Sequence, residues 1–522
     1  MRSGWFVRGN PIIAGGTVIR KSPKRVTENK GKKTPGVDGE LWGTPQDKTR
    51  AIALMTGAGY KPQPLRRVHI PKANGRKRPL GIPTMLDRAM QALYLMTLEP
   101  IVEVLSDPNS YGFRAGRSTA DAAGQQYLNL AKKHSATWVV DADITGCFDN
   151  ISHEWILENT PMNFRVLQKW LKAGYIEDRV DRLFPTEAGT PQGGIISPTL
   201  ANHVLNGLES HVKDHFRNTR TTREYQRTKV NVVRYADDFV ITAATKEIAE
   251  EAMEVARDFL KGRGLELSDE KTSIRHIEEG FDFLGWNFRK YNGKLLIKPS
   301  KKNVSNLLDK VRNLLKGKLR TAPQNQVVKE LRLILIGWAE YHKGQVAKET
   351  YSRVDMEVWK ALWSWAKRRH PNKGKRWIKE RYFHTVGNRH WMFGTWHSDE
   401  DGKEWFNGIP ITVHTPIKRH VKVKSEATPF DPQWEEYFEQ RRTDAMRGNK
   451  TGITKLDSVW RRQDGICPIC RQPLNLSEEN ALHHRVPKSL GGSDRLDNLT
   501  LLHGNCHRQL HSQYALNELP AL

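Results

Sequence analysis

A chain of 522 residues is longer than one hydrophobic core supports, so several domains are expected. Hydrophobic residues at 38% and charged residues at 27% are ordinary for a folded chain, but 84 Lys and Arg against 58 Asp and Glu leave a net charge of +26. Such an excess excludes few folds but points to a polyanionic partner, nucleic acid first, because each phosphate contact releases condensed counterions.

No stretch approaches the ~20 apolar residues that span a bilayer, so no membrane partner is expected. Met1 to Lys21 lacks a signal-peptide core, which makes the cytoplasm the expected location. Three of the four cysteines, Cys467, Cys470 and Cys506, crowd into the carboxy-terminal end while Cys147 stands alone. In a reducing compartment that clustering indicates a metal site rather than disulfides.

In chain order, residues 1–33 are Gly- and Lys-rich without periodicity, and an irregular or truncated leader is expected there. Residues 34–299 alternate β-rich apolar runs with helical stretches, as in Trp138-Val139-Val140, Asn231-Val232-Val233-Arg234-Tyr235 and Phe239-Val240-Ile241-Thr242. Within 300–370, Val304, Leu307, Leu308, Val311, Leu314 and Leu315 recur at helical steps. Further helices are expected over Gln326–Tyr341 and Val354–Arg369, making a helical bundle. Residues 371–454 form a basic region. The run 367–381 interleaves or flanks eight Lys and Arg residues with Trp363, Trp365 and Trp377, a pairing suited to nucleic acid. Lys418 to Lys424 alternates like a basic strand, and residues 455–522 read as a small metal-stapled module.

Nucleotidyl transfer uses two divalent cations about 4 Å apart, held by carboxylates from separate elements. Val232-Val233-Arg234-Tyr235-Ala236-Asp237-Asp238-Phe239-Val240-Ile241 offers an Asp pair in a strand–turn–strand, and Val139-Val140-Asp141-Ala142-Asp143 ends a second strand in an Asp. A surface turn is the bland alternative for the Asp pair alone.

These residues sit in an ordered series of blocks that resembles the fingers and palm of bacterial group II intron reverse transcriptases. The blocks are Thr34-Pro35-Gly36-Val37-Asp38-Gly39, Ile70-Pro71-Lys72 through Arg78-Pro79-Leu80-Gly81-Ile82-Pro83-Thr84, Ser110-Tyr111-Gly112-Phe113-Arg114, Asp143 to Ile151, Gly189 to Pro198, Gly264-Leu265 to Lys271-Thr272, and Phe283-Leu284-Gly285-Trp286. The resemblance implies a multidomain α+β chain with right-hand polymerase fingers and palm, an α-helical thumb (maturase), a basic DNA-binding region, and a ββα-metal HNH module with a structural zinc.

By the same resemblance Asp143, Asp237 and Asp238 are the catalytic carboxylates binding Mg²⁺, with Asp143 and Asp237 the direct ligands. Lys72 and Arg78 grip the triphosphate, Gln192 touches the nucleotide, and Phe148 is the steric gate against a ribose 2′-hydroxyl. A plain core Phe is the alternative for Phe148. Asp149 reads as structural. Leu331 to Lys343 resembles the maturase segment, and Arg369 to Phe383 the DNA-binding region. The family also has an amino-terminal helical segment that the Gly-rich leader does not match.

In the tail, Cys467-x-x-Cys470 with His503-x-x-Cys506 has the spacing of a tetrahedral structural Zn²⁺ site. The remaining histidines resemble an HNH endonuclease. That likeness makes His484 the general base, Asn498 the residue that orients it, and His483, His507 and His511 the ligands of a catalytic metal, expected to be Mg²⁺. A purely structural zinc knuckle is the alternative, but it leaves too many histidines unused.

The function implied is a multifunctional intron-encoded protein of a bacterial cytoplasm: RNA-directed DNA polymerase, splicing maturase and DNA endonuclease. Its partners would be its own intron RNA, in a ribonucleoprotein, target DNA, RNA template with DNA primer, and dNTPs. A splicing cofactor with a lapsed polymerase, or a homing nuclease with a scaffold palm, would not need Asp143, Asp237, Asp238, Arg78 and Gln192 together.

Overall fold

The computed structural model describes residues 15–513 apart from 29, 57–58, 72–74, 76, 178–179, 399–401, 403, 449–453, 475–479, 487–492 and 494. From its first described residue the expected irregular leader is instead a helix, Gly15–Glu28. Ile19, Ser22 and Val26 recur at helical steps and are buried, and the helix lies on helix Met85–Val104. This packing face is too narrow to stand out among the surrounding Gly and Lys residues. Residues 1–14 of that leader lie outside the described residues.

Strands β1 (Leu65–Pro71) and β2 (Lys77–Ile82) form an antiparallel hairpin. After β3 (Trp138–Asp143) come β4 (Tyr175–Glu177) and β5 (Val180–Phe184), which extend that hairpin into a sheet of order β2-β1-β4-β5. β3 belongs to a second four-stranded sheet, completed by β6 (Asn231–Tyr235), β7 (Asp238–Ala243) and β8 (Ser273–His276) in the order β6-β7-β3-β8.

The second sheet is apolar on both faces. Val140, Val232 and Ile241 enter a core shared with helices Ser197–Leu205 and Lys246–Lys261. Val139, Val233 and Val240 enter another with Phe281, Trp286 and Phe288. Double burial is why these strands read as unbroken apolar runs rather than alternating ones.

β9 (Phe281–Phe283), β10 (Trp286–Tyr291) and β11 (Lys294–Pro299) make a three-stranded sheet in the order β11-β10-β9. The β9–β10 turn places Leu284 and Gly285 at φ 50° and 82°. Gly285 takes this positive φ without strain, and a Cβ there would stand 2.8 Å from Asn303 Nδ2 and push that amide aside. Trp286 stacks on Tyr341 with ring centroids 4.6 Å apart and planes 5° apart, and the Tyr341 hydroxyl donates to the Leu284 carbonyl at 2.7 Å. This aromatic seam ties the following helices to the sheets.

Those helices are Lys301–Lys316, Gln324–His342 and Lys348–Arg369. Val304, Leu307, Leu308, Val311 and Leu315 bury as the stripe predicts. The core does not stop at residue 370, because Ile378, Tyr382, Phe383 and Phe393 belong to it. A boundary drawn where the composition turns basic therefore falls inside one packed unit. Helix Lys375–Tyr382 leads into β12 (Phe383–Val386), β13 (Arg389–Ser398) and β14 (Glu404–Gly408), an antiparallel sheet in that order.

Two readings of this basic region change. Trp365 is 2% exposed and donates its indole N–H to the Leu319 carbonyl, so it is core rather than contact surface. Lys418–Lys424 is an extended strap, not a strand. Its Val423 N–H and His420 ring meet Asp121 Oδ1, both at 2.7 Å, and Val423 is fully buried. A buried carboxylate, not a sheet edge, satisfies that stretch of backbone.

The last described elements are β15 (Asn480–His484) and β16 (Leu499–His503), an antiparallel pair followed by helix Gly504–Gln513. Among the described residues no helix is long and apolar enough to cross a membrane.

Candidate catalytic and metal centres

β3 and β7 pair antiparallel with Asp143 opposite Asp238, and β6 and β7 pair with Tyr235 opposite Asp238. Ala236 and Asp237 are therefore a two-residue hairpin turn, and all three expected carboxylates converge at one end of the sheet. Asp141, Asp143 and Asp238 share a face, because Asp141 precedes Asp143 by two and side chains alternate along a strand.

The electrostatics are those of a crowded anionic site. Burial raises the Asp237 carboxyl, helped by Asp143 and opposed by Arg78 and Lys271. Burial first, then its hydrogen bond to Asp143, pushes Asp238 up to about 7. Burial likewise raises Asp141 to about 6. Lys271 forms an ion pair with Asp143 Oδ2. Like charges held this close oppose joint ionisation unless cations join them, which is the property a divalent-metal site needs.

The other expected contacts surround this point. Arg78 stands exposed on β2 and acts on Asp237 through space, whereas Lys72 lies outside the described residues. Phe148 is half-buried, edge-on to Phe113 at 6.1 Å between centroids. The Gln192 carbonyl accepts the Gly81 N–H at 2.8 Å. A Cβ on Gly193 would come 2.7 Å from the Gly81 carbonyl, so this glycine serves close packing on β2. Beyond Asp141 opens a cleft of about 1130 Å³ between β8–β11 and the helices 301–316 and 348–369, its walls mixed in charge: Arg275, Arg289, Lys298, Lys301, Arg312 and Arg353 stand among Glu279, Asp282, Glu349 and Glu357.

Sequence reasoning gave no role to Lys271, Arg275 or Lys301. Their signal was weak because isolated basic residues are common in so basic a chain.

The carboxy-terminal module contains two clusters of ligand atoms, each within 4.8 Å: Cys467, Cys470, His503 and Cys506, and His483, His507 and His511. In the first, His503 Nε2–H donates to the Pro473 carbonyl at 3.1 Å. That leaves Nδ1 facing Cys470 Sγ at 3.3 Å and Cys506 Sγ at 4.0 Å. Three thiols and one imidazole oriented by a backbone acceptor fit a tetrahedral zinc.

In the second cluster His483 comes from β15, while His507 and His511 lie one turn apart on the following helix, their Nε2 atoms 3.2 Å from each other. His483 Nε2 is buried without a hydrogen-bond partner, and burial lowers its pKa to about 4, which keeps the imidazole neutral and able to accept a metal. His484, next on β15, projects to the other face. The Asn498 amide accepts from the Val486 N–H at 2.8 Å and donates to the Val486 and Ser493 carbonyls. It thus pins the loop that leaves His484.

Comparison with known families agrees with this layout. Residues 21–55 match the N-terminal domain of reverse transcriptase, 70–288 the reverse transcriptase (RNA-dependent DNA polymerase) model, 304–383 the group II intron maturase-specific domain, and 467–513 the HNH endonuclease. Protein YkfC of Escherichia coli (strain K12) is 35% identical over 298 residues, 50% of this chain and 77% of that protein. The group II intron-encoded protein LtrA of Lactococcus lactis is 34% identical over 324 residues, again 50% of this chain but 53% of LtrA. The chain thus matches about half the length of LtrA. A telomerase structure from Candida albicans aligns over 61% of this chain and 64% of its own at 11% identity and a TM-score of 0.36. The chain belongs to the group II intron reverse transcriptase and maturase family, and carries an HNH endonuclease domain at its carboxy-terminal end.

Proposed function

We propose that Asp143, Asp237 and Asp238 hold two Mg²⁺ ions for RNA-templated DNA synthesis, and that the carboxy-terminal module cuts the DNA that primes it. The observation carrying this reading is the strand pairing that sets Asp143 against Asp238, with Asp237 in the adjoining turn. Bound there, the ions would neutralise the triphosphate and lower the barrier to attack by the primer 3′-oxygen. The protein's own contribution is placement. Arg78 and Lys72 hold the triphosphate, Gln192 the nucleotide, and the Phe148 ring fills the space a 2′-hydroxyl would need.

Residues 34–299 act as fingers and palm, and the helical unit from Lys301 as a thumb that holds the template–primer duplex. The intron's own RNA and the target DNA are the further partners, engaged by the maturase and basic regions. Lys316, Arg320, Arg368 and Arg369 line a second groove of about 710 Å³ across the helical unit, well suited to a phosphate backbone. In the nuclease, His483, His507 and His511 hold the catalytic metal, His484 takes the proton of the attacking water, and the three cysteines with His503 hold a structural Zn²⁺. The outcome would be target-primed reverse transcription of an intron.

Primer extension on an RNA template with Mg²⁺ tests the polymerase, comparing the wild type with Asp237→Ala. Extension lost in the mutant supports it. A folded wild type that extends nothing, even with intron RNA added, would leave a maturase or nuclease only.

A further inference from the structure

Beneath the Tyr235-Ala236-Asp237-Asp238 turn lies a charged side chain that the chemistry above does not use. Arg234 is 2% exposed. Its Nη1 donates to the Ala236 carbonyl and to Asn202 Oδ1, and its Nη2 to Asn206 Oδ1, each at 3.1 Å. Asn202 in turn donates from Nδ2 to the Gly112 carbonyl at 2.8 Å.

The segment carrying Gly112 is laced to β6. The Tyr111 N–H donates to the Arg234 carbonyl at 2.9 Å, and the Arg234 N–H to the Asn109 carbonyl at 3.0 Å. Gly112 presses so closely on the turn that a Cβ there would stand 2.3 Å from the Ala236 nitrogen.

Ala236 needs this support. Its φ is +58°, the left-handed region that a residue with a Cβ enters only at a cost. Such a conformation persists where the surroundings over-determine it. Here they do so from two sides, with a guanidinium holding the carbonyl and a glycine backbone closing on the nitrogen. Burial lowers the Arg234 pKa only to about 10, so the side chain stays cationic at neutral pH. Burying a cation is costly, and an apolar side chain of similar length would fill the space without holding the carbonyl.

We propose that Arg234, backed by Asn202 and Gly112, is the positioning residue that keeps Ala236 left-handed and so sets where the Asp237 carboxylate stands. This rests on the reading of Asp237 as a metal ligand. Arg234 touches neither nucleotide nor metal; it acts through the peptide that precedes Asp237.

The test uses the full chain in RNA-templated primer extension over a range of Mg²⁺ concentrations, with Asp237→Ala as the inactive control and thermal melting as the check on folding. Arg234→Met is expected to lower kcat ~100-fold, the scale of a misplaced reacting group. It should also raise the Mg²⁺ concentration for half-maximal rate several-fold, with the dNTP KM little changed. Arg234→Lys, which keeps a donor, should fall between.

Adding Ala236→Gly to Arg234→Met should recover ~10-fold, because glycine takes positive φ without the Cβ penalty. Should Arg234→Met fail to fold, Asn202→Ala is read in the same way. A purely structural role would lower activity only in step with the folded fraction, leave the Mg²⁺ midpoint unmoved and show no recovery with glycine; that result overturns the inference while the polymerase reading stands. A wild type that extends no primer sinks both.

Discussion

Asp143 and Asp238 face each other directly across the β3–β7 strand pair. Burial and the hydrogen bond to Asp143 push the Asp238 carboxyl up to about 7. Two carboxylates opposed in this way repel each other, and divalent cations relieve the repulsion. Mg²⁺ or Mn²⁺ should therefore raise the melting temperature of the wild type at neutral pH. Asp143→Asn should remove most of that increment and lower primer extension by ~10³-fold or more, the loss of a metal's several kcal/mol of charge stabilisation. Differential scanning fluorimetry with and without the cation reads the first effect. An undiminished cation increment in the mutant would place the metals elsewhere.

Phe148 offers a test of sugar choice. Its half-buried ring lies edge-on to Phe113, and its carbonyl accepts the Thr190 N–H at 2.7 Å, so the backbone around it is well held. Phe148→Ala should raise ribonucleotide use relative to deoxyribonucleotide use by ~10-fold or more, because steric rejection of one hydroxyl is lost while the metal site is retained. Single-nucleotide incorporation kinetics with dNTP and rNTP measure the ratio. An unchanged ratio would assign Phe148 to core packing alone.

The two clusters in the carboxy-terminal module should separate cleanly. Cys470→Ser removes a ligand of the Cys467, Cys470, His503 and Cys506 cluster. It should lose one bound zinc per chain by mass spectrometry and make residues 467–513 susceptible to protease, since so small a core depends on its metal. His484→Ala should keep the zinc and the protease resistance but abolish DNA cutting. RNA-templated primer extension should survive both changes on a supplied primer.

His342 predicts how the junction between sheets and helices responds to acid. It is fully buried, surrounded by Trp286, Trp338 and Tyr341, and its Nε2–H donates to Asn303 Oδ1 at 3.0 Å. Burial lowers its pKa to about 4, below the ~6.5 of an exposed imidazole. Between these values the unfolded chain binds a proton that the folded chain does not, so stability is full above pH ~6.5 and declines as pH falls toward 4. At the acid limit the loss is on the order of 3 kcal/mol. Urea titrations from pH 7.5 to 4.5 should show a shallower decline for His342→Gln. Parallel pH profiles for the two proteins would remove His342 as the cause.

Much of the site was legible because its chemistry is local. Tyr235-Ala236-Asp237-Asp238 is four consecutive residues between two apolar runs, and Cys467-x-x-Cys470 and His507-x-x-x-His511 are helical or knuckle spacings that bring ligands together without help from the rest of the chain. The helix Lys301–Lys316 announced itself through a stripe whose residues do bury. The helix Gly15–Glu28 did not, because its few buried residues matter only once helix Met85–Val104 is there to receive them. Basic and aromatic composition also misled at Trp365, since an indole reads the same whether its N–H donates to a phosphate or, as here, to the Leu319 carbonyl.

The sequence by itself pointed to the order of the domains, to the candidate carboxylates and candidate metal ligands, and to the helical and strand periods, because each motif is made of residues close in the chain. Only the tertiary structure decided what meets across it. It set Lys271 against Asp143 from 128 positions away, docked the 418–424 strap on Asp121, and placed the Arg234 guanidinium under the Ala236 carbonyl. Those pairings depend on burial, where a charge or a backbone group must find a partner or incur the full cost of leaving water, and burial is a property of the assembled chain.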